Sequence, residues 1–118
     1  FVVQKVDCSA TTVSNQILRR TADGKFCIVS LSVRNLDTES KLFSSKLQNA
    51  YDARGDKFND DVLADFYAND NSQTFFKDIP PNGVVTGKVV FDIPKTTKLT
   101  TIELHDSLFS GGVRVKLP

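Results

Sequence analysis

The sequence has no tryptophan, no methionine, one histidine and two cysteines, and neither sign of charge predominates: 15 lysines and arginines against 14 aspartates and glutamates leave a formal net charge of +1. That balance excludes the broad electrostatic footprint with which a domain holds a phosphate backbone or an anionic membrane surface, so no nucleic-acid partner is expected. Long apolar runs are missing too. Stretches such as Val89-Val90-Phe91 are strand-sized, far below the roughly 18 residues of a transmembrane helix, and direct membrane insertion by this segment is not expected. The cysteine spacing excludes a CxxC redox pair. No internal repeat, low-complexity tract or linker interrupts the chain, and no catalytic, cofactor or nucleotide motif stands out. What is left, 118 residues of which 40% are hydrophobic and 25% charged, is the composition of one folded domain spanning 1–118. The chain opens at Phe1 rather than Met, which is compatible with the removal of a leader, an anchor or a further domain upstream.

What is present is a series of short alternating segments. From Phe26 to Asn35 the residues Cys27, Val29, Leu31 and Val33 share one parity, and Ser30, Ser32 and Arg34 share the other, the pattern of a half-buried strand. A second strand reads from Val85, Gly87, Val89, Phe91 and Ile93 against Thr86, Lys88, Val90 and Asp92, after the turn signal Pro80-Pro81-Asn82-Gly83. Shorter strands are expected at Lys41 to Ser45, Leu47 to Tyr51, Gln73 to Lys77, Thr100 to Leu104 and Val113 to Leu117. The polar run Thr11 to Lys25 reads as a long connection, and Asn59 to Tyr67 is the one helical candidate, with Asn59 or Asp60 as its N-cap. Turn signals about every ten residues, with at most one short helix, predict an all-β antiparallel sandwich of seven or eight strands.

Cys27 takes the inward parity of its strand, and Val2, Val6 and Cys8 share one parity in the first segment. A bridge between Cys8 and Cys27 is geometrically sound, and two buried reduced thiols are the alternative that parity leaves open.

Gly24-Lys25-Phe26-Cys27 leading into Val29-Ser30-Leu31-Ser32-Val33-Arg34-Asn35 resembles the second strand of the telokin-like, immunoglobulin-type domain found in secreted proteins and lipoproteins of Gram-positive bacteria. The turn Asp52-Ala53-Arg54-Gly55 is similar to that family's hairpin, and Pro81-Asn82-Gly83 followed by Gly87 and Val89-Val90-Phe91-Asp92-Ile93-Pro94 is similar to its next landmark. Leu104-His105-Asp106 and Ser110-Gly111-Gly112-Val113 resemble its closing strands, so the likeness covers nearly the whole chain. The resemblance implies an immunoglobulin-like fold, an extracellular or cell-envelope location, a Cys8–Cys27 disulfide and an undefined molecular function. It carries no catalytic residue. The departure is Asn82, which stands between the proline and the glycine of the turn.

Four motifs carry candidate chemistry. His105-Asp106-Ser107, with Ser110 nearby, holds the residue types of a hydrolase triad, but consecutive strand residues point to opposite faces and cannot align nucleophile, base and orienter. Asp52, Asp56, Asp60, Asp61, Asp65 and Asp70 are hard oxygen donors of the kind calcium takes, Asp56, Asp60 and Asp61 being the weak metal candidates. An EF-hand register from Asp52 fails, because Arg54 occupies a ligand position and Leu63 stands where a glutamate belongs. Arg54-Gly55-Asp56 spells an integrin-read tripeptide on an expected turn, where chance and the turn's need for glycine account for it. Finally, Arg34, Lys88, Arg114 and Lys116 take outward parities that would form a basic stripe on one sheet, without the interleaved aromatics that stack single-stranded bases.

These observations lead to a non-enzymatic extracellular or envelope-anchored binding module with no cofactor and an unknown protein or cell-wall partner. A calcium-dependent adhesive module using the Asp52–Asp70 region is the alternative, and a hydrolase centred on His105 the more distant one.

Overall fold

The computed structural model describes residues 2–14, 19–36, 38–44, 48–61, 64–65, 68, 76–105 and 113–117. They form nine β-strands: β1 (Val2–Ser14), β2 (Arg19–Arg34), β3 (Lys41–Ser44), β4 (Asn49–Asp52), β5 (Lys57–Asn59), β6 (Phe76–Ile79), β7 (Val84–Ile93), β8 (Leu99–Leu104) and β9 (Val113–Lys116). All pairings are antiparallel. One layer has the order β1-β2-β7, the facing layer β5-β4-β8-β9, and β3 pairs with β6 in a short third ladder. The molecule is an all-β sandwich.

Its core lies between the two larger sheets. Cys27, Val29, Leu31 and Val33 of β2 meet Val89, Phe91 and Ile93 of β7 on one side, and Ala50, Leu99, Ile102 and Leu104 on the other. Alternation dictates this, since in β2 each buried residue from Cys27 to Val33 is followed by one that is only partly covered. Burying each large aliphatic or aromatic side chain contributes about 1.5–3 kcal/mol.

The outer face of β1-β2-β7 is not all solvated. At one end Val13, Phe26 and Val90 form a second cluster with Ala64 and Ala68, which belong to a segment with helical backbone at Ala64, Asp65 and Ala68. The expected helix is therefore seen at these three residues, while 62–63 and 66–67 lie outside the described residues. Among the described residues Asp61 serves as a cap: its Oδ1 accepts the Ala64 N–H at 3.1 Å, and its carbonyl accepts the Asp65 N–H at 2.8 Å.

Two expectations about β1 and the start of β2 are corrected by register. Thr11 to Lys25 is not a long connection, because β1 and β2 continue to pair through Thr12↔Thr21, Val13↔Arg20 and Ser14↔Arg19. The β-branched residues Thr11, Thr12, Val13 and Thr21 suit a strand, and Val13 is held against Phe26. Val2 does not share the inward parity of Val6 and Cys8. A register irregularity between Val3 and Lys5 turns Val2, opposite Ser32, outward and brings Val3, opposite Leu31, inward; Val2 is accordingly exposed.

A second irregularity places Cys8 and Ser9 between the pairs Asp7↔Ile28 and Ala10↔Phe26, so that two residues of β1 stand opposite Cys27 alone. Asp7 holds this bulge, its Oδ1 accepting the Ser9 N–H at 2.9 Å and the Ser9 hydroxyl at 2.5 Å. These bonds from Ser9 draw the Asp7 carboxyl below its usual range. At the bulge Cys8 and Cys27 are joined in a disulfide, which ties neighbouring strands of one sheet and does not cross the sandwich.

Candidate functional site

The residues that marked the sequence are those that hold its turns. Asp92, on β7, accepts the Asp23 N–H at 2.8 Å and the Gly24 N–H at 3.0 Å, one on each carboxylate oxygen. A Cβ at position 24 would collide with the carbonyl oxygen of Ile93, so the chain passes there only as glycine. Gly24→Ala is expected to lower stability by about 2 kcal/mol in chemical denaturation, as overpacking against backbone does. A loss below about 0.5 kcal/mol, the size of an ordinary surface substitution, would show that β7 yields instead.

Asn35 is buried at the end of β2. Its Nδ2 donates to the carbonyls of Glu39 and Ile79, both at 2.8 Å, while its backbone meets the Gly83 carbonyl and the Asn82 N–H. In the Pro80–Gly83 turn, closed by the Gly83 N–H on the Pro80 carbonyl at 2.8 Å, Asn82 takes the left-handed φ of 62°. The inserted asparagine therefore fills the third turn position, one of the few non-glycine residues suited to it. Across the sandwich the buried Gln48 imitates a strand residue, donating from Nε2 to the His105 carbonyl and accepting the His105 N–H at 2.6 Å.

The acidic candidates are separated. Asp52 is buried and its Oδ1 accepts the N–H groups of Arg54 and Asp56, both at 2.9 Å, shaping the β4–β5 turn. Arg54 and Asp56 are exposed and pair with each other at 3.3 Å, with Gly55 between them at a φ of 86°. Asp60 and Asp61 instead line a groove of about 650 Å³ together with Arg20, Asp23, Asp92 and Lys95; Asp56 does not line it. Within it both oxygens of Asp61 lie 2.9 Å from Arg20 Nε, a contact that pushes the guanidinium pKa further up. Asp65 turns the other way, and its Oδ1 accepts the Val90 N–H at 2.6 Å. Asp70 lies outside the described residues, and among the described residues no group of three His, Cys, Asp or Glu side chains is arranged to hold a metal ion.

A third cluster occupies the outer face of β5-β4-β8-β9. Glu103 receives His105 Nε2 at 2.7 Å on Oε1, and Arg114 Nε at 3.1 Å and the Tyr51 hydroxyl at 3.4 Å on Oε2. The Arg114 guanidinium sits 4.5 Å from the centre of the Tyr51 ring, a cation–π contact. His105 thus engages a carboxylate two residues back on its own chain; Asp106, Ser107 and Ser110 lie outside the described residues. The His105 hydrogen bond, seconded by Arg114 and opposed by burial, holds the Glu103 carboxyl below the usual glutamate range.

A depressed carboxyl contributes stability that is complete above its unfolded pKa, about 4.3, and is lost as pH falls through the folded value. Denaturation titrated downward from about pH 5 is therefore expected to weaken wild type more steeply than Glu103→Gln. Parallel curves would show that the His105 and Arg114 contacts do not persist in solution.

The basic residues do not form one stripe. Arg34 and Lys88 belong to β2 and β7, whereas Arg114 and Lys116 belong to β9 in the opposite sheet. Sequence parity missed this because it assigns a face within a strand but not the sheet that receives the strand. It likewise missed Glu103 and Tyr51, whose only linear signal is outward parity.

A family model described as a domain of unknown function, DUF4352, matches residues 1–115. No curated protein and no solved structure matches the chain.

Proposed function

The chain belongs to the DUF4352 family, and from that premise we propose that it is a non-enzymatic binding module of the extracellular space or cell envelope, built as an immunoglobulin-like sandwich. The observation that carries this reading is the engagement of polar side chains with the backbone. Asn35, Gln48, Asp52, Asp65 and Asp92 all bind backbone groups of turns, strands or strand ends, so the features that single out this sequence serve to present a scaffold. The Cys8–Cys27 disulfide supports an oxidising compartment. Support for immunoglobulin-like connectivity comes from the strand orders β1-β2-β7 and β5-β4-β8-β9, which follow A-B-E and C′-C-F-G of that sandwich. The resemblance to the telokin-like domains of Gram-positive secreted proteins and lipoproteins agrees with both.

The test is crosslinked capture of partners by the tagged protein from its own envelope and medium, with mass spectrometry and surface variants as controls. A partner held by wild type and lost with an exposed-residue variant that melts normally is the expected result. Turnover in an esterase and peptidase screen that disappears with His105→Ala would overturn the reading in favour of a hydrolase. Calcium binding that disappears with Asp56→Asn or Asp60→Asn would favour the adhesive alternative.

A further inference from the structure

We propose that the outer face of β5-β4-β8-β9 is the docking surface of this module and that it receives an acidic segment of a partner protein, read by Arg114. The inference rests on the binding-module reading and names its site and the chemistry of its partner.

Register lays this face out in two rows. Lys57, Tyr51, Thr101 and Lys116 stand side by side across the four strands, and Asn59, Asn49, Glu103 and Arg114 form the next row. Residues directly opposite one another in an antiparallel ladder share a face. Their inner neighbours Ala50, Ile102 and Leu104 are buried in the core, which fixes these two rows as the outer ones. Three cations therefore share these rows with one carboxylate, and that carboxylate is already engaged by His105 and Arg114. Among the described residues no carboxylate pairs with Lys57 or Lys116, both of which are exposed. The positive potential of the face is thus open to solvent although the chain as a whole is nearly neutral.

Arg114 is held in place. Its Nε donates to Glu103 and its guanidinium plane lies over Tyr51, while its side chain stays 63% exposed and its terminal Nη groups make no hydrogen bond among the described residues. An arginine fixed by its Nε and by stacking presents a planar pair of donors whose geometry matches a carboxylate, and little side-chain freedom is left to lose on binding. Tyrosine and arginine are also the residues that most often anchor protein interfaces. A four-stranded sheet face suits a protein surface better than a small ligand, which needs concavity.

The experiment is fluorescence anisotropy with a labelled peptide of repeated Gly-Ser-Glu-Glu against the whole chain at low salt, with polygalacturonate as a carboxylate-bearing glycan competitor. Arg114→Gln is expected to weaken peptide binding about tenfold, and Arg114→Lys, which keeps the charge but loses the paired donors, nearly as much. Lys57→Gln with Lys116→Gln should weaken it about threefold by removing long-range attraction, and Arg34→Gln with Lys88→Gln, on the opposite sheet, less than twofold. Melting curves accompany every variant; should Arg114→Gln fail to fold, Arg114→Lys decides.

Equal losses from the two sheets would reduce the effect to bulk charge and overturn the proposal. Absence of peptide binding would also overturn it, and tighter binding of polygalacturonate would replace the polypeptide partner by an anionic glycan. If an envelope partner is captured equally well by wild type and Arg114→Gln, this surface is wrong while the binding-module reading stands. If no partner is captured by wild type at all, the reading itself fails.

Discussion

Replacing both Cys8 and Cys27 by alanine is expected to remove about 3 kcal/mol of stability in chemical denaturation. The bridge closes a loop of 19 residues' separation, and loop closure of that length restricts the unfolded chain by about this amount in the chain-entropy model. A loss of that size is a large fraction of the 5–15 kcal/mol typical of a small domain. In the native state its position also matters. The β1–β2 ladder is irregular between Val3 and Lys5, and again on both sides of Ala10, so the segment carrying Val3 and Val6 is pinned to β2 close to a break in its pairing. Faster hydrogen exchange of the Val2–Val6 amides than of β7 is expected in the variant. The unreduced protein, denatured, should show no free thiol. Two titratable thiols in protein taken directly from its natural source would defeat the oxidising-compartment reading, and a stability loss below about 1 kcal/mol would mean that β1 and β2 remain associated in the unfolded chain.

The parts of this architecture that were legible in the sequence are those where a strand keeps strict alternation. In β2 and β7 the inward residues Cys27 to Val33 and Val89 to Ile93 follow parity without a break, and their register runs uninterrupted from Lys25↔Ile93 to Arg34↔Val84. In β1 parity fails because the irregularities between Val3 and Lys5 and between Asp7 and Ala10 each insert a residue and exchange the two faces. Val2 stands outside although it shares the sequence parity of Val6 and Cys8, and Ala10 and Val13 serve the second cluster rather than the main core. The cysteine pair was legible as a reasonable bridge, but not that it would lie within one sheet. Antibody domains place their bridge across the sandwich, and only pairing of β1 with β2 shows that this one does not.

The candidate sites were legible as residue types and not as contacts. Asp92 sits in a recognisable strand ending, yet its partners Asp23 and Gly24 are nearly seventy residues away in sequence. The acidic region looked like a ligand set because Asp52, Asp56, Asp60, Asp61 and Asp65 follow one another closely, whereas the fold sends Asp52 to a turn, Asp61 to Arg20 and Asp65 to β7. Short-range spacing reports which carboxylates are near in the chain. It does not report which backbone donors the fold leaves for them to satisfy, and buried donors must be satisfied.

Asp65 is where that requirement is strongest, and Asp65→Ala is expected to lower stability by about 3 kcal/mol, since a buried amide loses its acceptor. Among the described residues β7 is the edge of the β1-β2-β7 sheet, and no described strand pairs with the outward N–H and C=O groups of Val90. Asp65 Oδ1 accepts the first at 2.6 Å, and the Asp61 N–H donates to the second at 2.7 Å. The helical segment thus closes the edge as a strand would, and its Ala64 and Ala68 cover Phe26 and Val90. Alanine at 65 leaves the Val90 N–H without its partner in a buried site and loosens the cover over an edge strand, so the variant should also aggregate more readily. Accelerated exchange of the Val90 amide is the local signature, and it separates this mechanism from a general loss of helix propensity, which alanine would improve. The same experiment bears on calcium. If Asp65 serves β7, the loss is the same in excess chelator and in excess calcium; a loss that appears only with calcium present would mean that the carboxylate stabilises the protein through a bound ion, and the adhesive alternative would then become the better account of this region.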